Sequence, residues 1–450
     1  MKAYSEYCRV DAEWLGSLPS QWDCKKIGAL FSQRKEKVSD KDFAPLSVTK
    51  NGILPQLSNA AKSNDGDNRK LVRAGDFVIN SRSDRKGSCG VSSLDGSVSL
   101  INIVLEPRQD WNSRYVHYLL RSQPFSEEYY HYGRGIVADL WTTRYSEMKN
   151  IYLPVPPRSE QDQIVRYLDW QVSKINKLIA AKKKGIARIT ELKKTVVNEA
   201  VTHGLNPNVP MKFSGVDWLG DIPAHWKTTK LRQILHPFSE KNHPELPLLS
   251  VVREQGVIVR DVEDKESNHN FIPDDLSGYK MVKKGQLAMN KMKAWQGSYG
   301  ISDYTGILSP AYFIFDVDFE NLEYFHYAIR SKVYVNFFAQ ASDGIRVGQW
   351  DLSIPKMKEI PFIVPPEDEQ KAIVEYIPKA CAKYDAAISR LTQEVLLLEE
   401  FKTRLISDVV TGQIDVRGIE IPDYEYVEEE SDEESDETEG ADEEAEEQEE

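Results

Sequence analysis

The sequence has few cysteines and no long apolar run. Its four cysteines, in a chain of 450 residues, lack the C-x-x-C spacing of zinc or redox sites, and neither a zinc site nor a disulfide framework is expected. No stretch approaches the roughly 20 apolar residues of a membrane-spanning helix, and the first residues contain no apolar run of the signal-peptide kind. These absences indicate a soluble, cytoplasmic chain without a membrane partner.

Signatures of catalysis are also missing. No glycine is followed by lysine, which excludes the GxxxxGK phosphate-binding loop of NTP hydrolysis. The sequence has no H-E-x-x-H zinc motif and no G-x-S-x-G nucleophile elbow. No two histidines are spaced four apart, and His117 and His326 are interpreted as packing or surface residues rather than ligands. We therefore expect no catalytic residue, no metal site and no cofactor bound by this chain.

The negative charge is unevenly distributed. The formal net charge is -14, from 57 basic and 71 acidic side chains. Residues 428–450 contain 16 of the acidic residues and no Lys or Arg, which leaves 57 basic against 55 acidic side chains in residues 1–427. The body of the chain is close to neutral, so the overall charge does not argue against nucleic-acid binding. The acidic tail 428–450 has too few apolar residues to fold, and we expect it to be disordered.

A long internal repeat organises the body of the chain. Residues 13–22 recur as residues 217–226, and both copies share the frame W-L-G-x-(L/I)-P-x-x-W. Such self-similarity indicates two copies of one structural unit. Further matches follow in the same order: Leu71–Gly75 with Met281–Gly285, Tyr115–Ser122 with Tyr324–Ser331, Trp141 with Trp350, and Pro156–Gln161 with Pro365–Gln370.

Each repeat ends in the pattern of a long helix. After the paired prolines, Ser159 and Asp368 are residue types that cap helix N-termini, and Gly204 and Gly412 suit helix C-termini. Between these signals, apolar residues recur with a seven-residue spacing, at Leu168, Ile175, Ile189 and Val196 and at Ile377, Tyr384, Leu391, Leu398 and Leu405.

Each run would form a helix of about 43 residues, or about 65 Å. Gly185 and Pro378 weaken this prediction, and Pro378 leaves open a short lead-in helix before it. Because neither run is apolar all round, each helix needs a partner for its apolar stripe, and the other helix is the obvious one. The pattern predicts an intrachain antiparallel coiled coil.

The expected fold class is α+β, with two mixed α/β domains and two long helices. Short apolar runs such as 76–80 and 311–315 predict strands, and Tyr115–Ser122 and Tyr324–Ser331 predict short helices. The proposed boundaries are a first globular domain at 1–157, a first long helix at 158–205, a second globular domain at 206–366, a second long helix at 367–420, and the tail at 428–450.

Basic loops flanked by glycine occupy matched places in the two repeats. One pair, 81–87 and 291–297, follows matched predicted strands, and a second pair precedes Trp141 and Trp350. Arg and Lys can bind guanine or phosphate, and Gln can bind adenine. Ordinary solvated turns would look similar, and for any one loop this alternative interpretation stays open. The candidate DNA-contacting residues are Arg82, Arg85, Lys86, Arg134, Lys291, Lys293, Gln296 and Arg346.

The Trp pairs of the repeated opening frame have a different interpretation. Trp14 and Trp22, with Trp218 and Trp226, enclose a matched proline in each copy. Large aromatic side chains chiefly contribute to cores, so these four residues are predicted to pack inside the domains rather than to stack on bases.

The order and duplication of these motifs resemble the specificity subunits of type I restriction-modification systems. The resemblance covers about residues 10–420 and rests on the repeated opening frame, on the P-P-x-x-E-Q start of each long helix, and on the helix ends at 192–202 and 401–412. It implies that each globular domain is a target recognition domain that reads one half of a bipartite target in double-stranded DNA. The long helices would act as conserved spacers that fix the separation of the half-sites.

The same resemblance implies which partners perform the chemistry. Two modification subunits would dock on the helices and supply S-adenosylmethionine and adenine methylation, while restriction subunits in the complex would supply ATP- and Mg-dependent translocation and cleavage. This chain has no N-P-P-(Y/F) methyltransferase motif, which agrees with a non-catalytic role. Two rival functions are a coiled-coil scaffold that does not read DNA and a methyltransferase-nuclease fragment. The family pattern assigns no role to the acidic tail, which could compete with DNA phosphates for the basic loops.

Overall fold

The structure is a computed structural model that describes residues 2–57, 66–82, 85–135, 141–216, 219–261, 272–273, 275–346 and 349–428. The described residues divide into two compact units, unit 1 within residues 2–182 and 393–428, and unit 2 within residues 183–392. Two long helices, α5 (Arg158–His203) and α9 (Glu367–Val410), each contribute one part to each unit.

Unit 1 contains short helices and antiparallel strands in addition to its parts of α5 and α9. The helices are α1 (Ile27–Leu30), α2 (Ser113–Arg121), α3 (Gln123–His131) and α4 (Tyr145–Met148). The strands are β1 (Tyr7–Arg9), β2 (Ser17–Pro19), β3 (Asp23–Lys26), β4 (Phe31–Gln33), β5 (Lys37–Val38), β6 (Leu46–Thr49), β7 (Gly52–Pro55), β8 (Arg69–Val72), β9 (Phe77–Asn80), β10 (Cys89–Val91), β11 (Gly96–Val98), β12 (Asn102–Pro107) and β13 (Tyr152–Val155).

The main sheet of unit 1 has the strand order β10-β9-β12-β4, and smaller sheets pair β11-β8-β5, β6-β7, β1-β2 and β13-β3. In the main sheet Val78 lies opposite Val104 and Gly90. All four residues of β9 are buried, as expected of a central strand packed on both faces. The largest core cluster joins this sheet to α2, α3 and the unit 1 parts of α5 and α9.

Unit 2 contains three short helices and fourteen strands among its described residues. The helices are α6 (Leu322–Ile329), α7 (Lys332–Gln340) and α8 (Ile354–Lys358). The strands are β14 (Met211–Phe213), β15 (Asp221–Pro223), β16 (Lys227–Lys230), β17 (Leu235–Phe238), β18 (Leu249–Val252), β19 (Gly256–Val259), β20 (Lys280–Val282), β21 (Leu287–Asn290), β22 (Tyr299–Ile301), β23 (Gly306–Leu308), β24 (Tyr312–Val317), β25 (Ser342–Arg346), β26 (Gln349–Leu352) and β27 (Pro361–Val364).

Most sheets of unit 2 have counterparts in unit 1. Its main sheet has the order β17-β24-β21-β22, and its strand pairs are β14-β15, β16-β27, β18-β19, β20-β23 and β25-β26. Strand β21, like β9, is buried at all four residues. The helices α2 and α6 both begin after a capping asparagine, Asn112 or Asn321, whose side chain accepts backbone N–H groups of the first turn. The strands and short helices predicted from the sequence are confirmed at these places.

The repeated tryptophan frame packs against a helix end in each unit. In unit 1, Trp22 is 7% exposed, and in unit 2, Trp226 is 1% exposed. Gly412 and Gly204 both have φ +76, and a Cβ at either position would approach the ring of Trp22 or Trp226 at 3.0 Å. Glycine is favoured at both positions for two reasons: it permits the left-handed turn after the helix, and it leaves room for the tryptophan ring. The predicted core role holds for these two tryptophans, and Trp218 lies outside the described residues.

The P-P-x-x-E-Q motif anchors the start of each long helix. The Gln161 side chain donates to Pro156 O at 3.0 Å, and Gln370 donates to Pro365 O at 2.9 Å. The helices begin at Arg158 and Glu367, one residue before the predicted caps. The predicted capping role of Ser159 and Asp368 is therefore wrong, because both residues lie within the first turn.

The glutamate of the same motif binds the opening segment of its unit. Glu160 is 6% exposed and accepts from the Tyr4 hydroxyl at 2.5 Å. Its counterpart Glu369 accepts from Trp226 Nε1 at 2.9 Å. The motif therefore ties the start of each long helix to the N-terminal part of its unit, at Tyr4 in unit 1 and at Trp226 in unit 2.

Within each unit the parts of α5 and α9 run antiparallel. In unit 1, Lys182 pairs with Glu394, and Lys402 Nζ lies 3.5 Å from Asn176 Oδ1. In unit 2, Lys193 Nζ lies 2.5 Å from Asp385. Helix α9 continues through Pro378, so the alternative of a separate lead-in helix is not what the chain adopts.

The observed architecture is mixed helix and sheet with two long helices, which confirms the predicted α+β fold class. Among the described residues, no helix is both long enough and apolar enough to cross a membrane.

Candidate nucleic-acid interface

In unit 1, two predicted loops are joined by backbone hydrogen bonds. Thr143 N donates to Ser81 O at 2.9 Å, which places the second loop beside the end of β9. Thr142 also exchanges backbone hydrogen bonds with Arg134, with N···O distances of 3.1 and 3.3 Å. Residues 142–143 therefore lie between 81–82 and 134, and the structure brings the two loops together.

The basic side chains of these loops face solvent. Arg82, Arg85, Lys86 and Arg134 are all exposed. The buried Asn80 side chain stabilises the start of the loop, because its Oδ1 accepts a hydrogen bond from Arg82 N at 3.0 Å. The ammonium of Lys86 lies 5.5 Å from the ring centre of Tyr130, and Trp141, which precedes Thr142 in the chain, is 39% exposed. Exposed cations next to an exposed aromatic ring can hold a phosphate backbone and stack on a base.

In unit 2, the matched loops meet in a similar way. Asn290, at the end of β21, accepts the N–H groups of Met292 and Lys293 at 2.9 and 3.1 Å. The hairpin β25-β26 is tied to this loop because Leu352 N donates to Lys291 O at 3.1 Å. The same asparagine-supported loop thus follows the central strand of both sheets.

The side chains of the unit 2 loops have a different character. The ammonium of Lys291 lies 2.6 Å from Asp351, and that of Lys356 lies 2.6 Å from Asp343. The rings of Trp295 and Trp350 lie 5.1 Å apart at an angle of 46°. This surface combines an aromatic pair with cations that have carboxylate partners.

The remaining predicted residues of unit 2 occupy the same two loops. Lys293 and Gln296 are half-buried, and Gln296 ends a short 3-10 turn, Ala294–Gln296. The backbone of Arg346 lies in β25 opposite Gln349, but its side chain lies outside the described residues.

A half-buried histidine and an arginine one helical turn later hold a hairpin in place in each unit. His117 and His326 each lie on the short helix beside the main sheet, where Ile301 N donates to His326 Nδ1 at 3.3 Å. Arg121 donates to Lys50 O in the turn between β6 and β7. Arg330 makes the matched contacts, to Arg253 O at 2.9 Å and Glu254 O at 3.0 Å.

The two histidines are neutral packing residues. Burial lowers the pKa of His117 to about 3, and the neighbouring Arg121 charge lowers it further. Burial likewise lowers the pKa of His326 to about 4, with Arg330 adding to the effect. Charged imidazoles would be poorly solvated at these positions, which explains the direction of both shifts.

Sequence reasoning missed the supporting residues of this interface. The asparagines that end β9 and β21, Asn80 and Asn290, were not singled out, although they occupy matched positions. The same is true of Arg121 and Arg330, which belong to the repeated short helices. In each case the available signal was that the same residue occupies matched positions in the two repeats.

Within the part of the chain that the structure describes, no group of three or more His, Cys, Asp or Glu side chains is placed to hold a metal ion.

Comparison with known proteins identifies the relatives of this chain. No protein-family model matches it. A type I restriction enzyme MjaVIII specificity subunit from Methanocaldococcus jannaschii is 25% identical over 291 residues, which cover 60% of this chain and 64% of that relative. A second protein of that organism, provisionally named the MjaX specificity subunit of a type I restriction enzyme, is 21% identical over 437 residues, covering 90% of this chain and 96% of its own length.

A solved structure shares the fold. It comes from work on complex assembly and conformational transition of the type I R-M system, and it superposes with a TM-score of 0.57 at 13% identity, covering 88% of this chain and 99% of that chain. The two curated relatives confirm the resemblance inferred from the repeated motifs: the chain is similar in sequence to type I restriction enzyme specificity subunits.

Proposed function

We propose that this chain is the sequence-specific DNA-binding subunit of a type I restriction-modification complex. Unit 1 and unit 2 each read one half of a bipartite target in double-stranded DNA. One observation carries the proposal: in both units, two separate loops meet at the end of the central strand, and they present cations, an amide and aromatic rings on the same scaffold. Such side chains contact phosphates and base edges.

The differing chemistry of the two surfaces supports two different half-sites. Loops 81–88 and 133–144 contain five basic and two acidic residues, whereas loops 291–298 and 342–352 contain three basic and two acidic residues. Identical scaffolds with different side chains are what reading two unlike sequences requires, because bases are distinguished by donor and acceptor patterns.

The long helices are proposed to dock two modification subunits. In unit 1, apolar side chains of α9 remain exposed, including Leu396 and Leu397 at 54% and Phe401 at 46%. Exposed apolar patches on a folded protein mark interaction sites. In this proposal the chain itself is non-catalytic, the modification subunits bind S-adenosylmethionine, and restriction subunits use ATP and Mg.

Domain exchange tests the proposal. The full chain is expressed with its modification subunits, and methylated positions are mapped by sequencing. Replacing residues 206–366 with those of a relative should change one half-site only, and replacing residues 1–157 should change the other. A scaffold that does not read DNA would leave the methylated sequence unchanged in both exchanges, and a methyltransferase would methylate DNA without added subunits. Either result would refute the proposal.

A further inference from the structure

An extended segment follows helix α9 and lies along α5 in unit 1. We call residues 416–427 the C-terminal strap. Gln163 Nε2 donates to Val416 O at 3.0 Å and to Ile419 O at 2.8 Å, near the start of α5. The last strap residue, Val427, lies beside Asn176, almost four helical turns further along. The strap therefore runs in the same direction as α5.

Two buried polar side chains of α5 bind the strap backbone. Ser173 is 1% exposed, and its hydroxyl donates to Glu425 O at 2.9 Å and accepts from Val427 N at 2.8 Å. Asn176 is 6% exposed, and its amide donates to Val427 O at 3.1 Å. A buried polar group without a partner costs about 1–3 kcal/mol. These side chains are consistent with a strap that is a fixed part of unit 1.

Side chains of the strap add further contacts. Arg114 donates to the Tyr426 hydroxyl at 2.9 Å and lies 5.0 Å from the centre of its ring. Lys177 forms an ion pair of 3.1 Å with Glu425. In the second repeat, Ala382 stands at the position of Ser173, and it has no hydroxyl to make the same contacts.

The strap ends where a cationic segment of α5 begins. Residues 174–184 of α5 contain no acidic residue and five lysines, Lys174, Lys177, Lys182, Lys183 and Lys184. Lys177 and Lys182 have carboxylate partners in Glu425 and Glu394, while Lys174 and Lys184 are exposed. The acidic tail, 428–450, starts at the end of the strap and contains 16 acidic and no basic residues. Lys184 is exposed and lies eight residues after Asn176, which corresponds to about 12 Å along the helix.

We propose that the acidic tail binds in cis to the cationic segment 174–184 of α5. A chain of 23 residues can extend over roughly 75 Å, so it can cover this segment. Because the strap holds its first residue beside the segment, the tail is present there at an effective concentration of about millimolar. The bound tail shields these lysines from other polyanions, including the DNA backbone.

Carbodiimide cross-linking of the full chain tests this contact without any DNA. The reagent joins carboxylates to lysines that lie in direct contact, and mass spectrometry maps the pairs. The expected result is that tail carboxylates link mainly to lysines of the segment, and that these links are lost in about 1 M salt, where the Debye length is about 3 Å. Links mainly to Lys86, Lys291 and Lys293 would overturn the proposal and place the tail over the candidate DNA-binding loops. Links no more frequent than those to Lys379 and Lys383 of α9 would also overturn it.

A strap variant provides the matched comparison. The double substitution Ser173→Val and Asn176→Leu removes the hydrogen bonds of these two side chains to the strap backbone, and links to Lys184 should fall severalfold. Thr195→Val is the control, because the Thr195 hydroxyl bonds only within the helix, to Glu191 O at 3.0 Å, and the cross-links should not change. If the strap variant fails to fold, acetylation of the chain lacking 428–450 replaces it. Labelling of Lys184 should then rise severalfold, and unchanged labelling would overturn the proposal.

Discussion

The candidate interfaces of unit 1 and unit 2 share a scaffold but differ in their side chains. In both units an asparagine at the end of the central strand supports a loop, and a second loop is bonded to the first. In unit 1 the loops present exposed Arg and Lys, whereas in unit 2 Lys291 is paired with Asp351 and two tryptophans lie together. The shared backbone thus determines where each loop lies, whereas the side chains that differ between the two repeats determine the chemistry of its surface.

The largest expected effect concerns the salt dependence of DNA binding. The triple change Arg82→Ala, Arg85→Ala and Lys86→Ala in unit 1 should lower the slope of log affinity against log salt by up to about 2.7, because each phosphate contact contributes about 0.9. At about 0.1 M salt this corresponds to a loss of roughly 100-fold or more in affinity. Fluorescence anisotropy with a cognate duplex at several salt concentrations measures both quantities.

The matched change in unit 2 provides the comparison. Lys291→Ala with Lys293→Ala should reduce the slope by clearly less than about 1.8, because the Lys291 ammonium is already 2.6 Å from Asp351. Equal reductions per cation in the two units would show that the interfaces do not differ in the way the structure suggests.

The two units should agree in their response to acid. The folded pKa values of His117, about 3, and His326, about 4, lie below the unfolded value of about 6.5, so the unfolded chain binds more protons between pH 6.5 and 4. The stability that these residues confer is complete above pH 6.5 and is lost as the pH falls. Lowering the pH from 7 to 5 should therefore reduce the free energy of unfolding by about 2 kcal/mol for each histidine, because the loss is about 1.36 kcal/mol per pH unit below the unfolded pKa.

Hydrogen exchange of β10 and β22 at pH 7 and pH 5 resolves the two units separately. His326→Gln should flatten the pH dependence of opening for β22, while β10 keeps its own. A variant in which β22 remains as acid-sensitive as before would contradict the assignment of this effect to His326.

The smallest expected effect lies in the helix pair of unit 2. A Cβ at Gly185 would meet the Leu391 side chain at 3.5 Å, which is an ordinary contact. Gly185→Ala should therefore stabilise unit 2 by about 0.5–1 kcal/mol, because glycine in a helix loses more backbone entropy than alanine. Urea unfolding followed by exchange in β21 measures the change, and exchange in β9 of unit 1 is the internal control. A destabilised unit 2 would show that the helix pair cannot accept the added methyl group.

Elements with strong local signals could be predicted from the sequence. The strands around 76–80 and 311–315, the short helices at Tyr115 and Tyr324, and the long helices all lie where periodicity placed them. The ends of the long helices were also predictable, since Gly204 and Gly412 adopt the left-handed conformation. Ser159 and Asp368 lie one residue inside the helices and do not cap them. Instead, the Gln161 and Gln370 side chains bond to the preceding proline turn, a contact that is not among the usual capping patterns.

The candidate site was only partly predictable. Charge and glycine marked the loops, and the repeat showed that they were equivalent. That Lys291 has a carboxylate partner, Asp351, depends on the pairing of two segments about 60 residues apart in the sequence, which local patterns do not specify. The helix through Pro378 is a similar case, since local propensity disfavours an interior proline and the observed helix nevertheless continues.

The sequence by itself determined the twofold plan of this protein. Repeated motifs specify two domains with matched strands, loops and long helices, because hydrophobic periodicity and turn residues act over short distances along the chain. Only the tertiary structure decided which helix parts complete each unit. Val409 and Val410, at the end of α9, enter the core of unit 1 with Trp22, whereas Val201, at the end of α5, enters the core of unit 2 with Trp226. An apolar stripe on a helix indicates that this face of the helix is buried. Which residues bury it depends on how the side chains pack in the folded core.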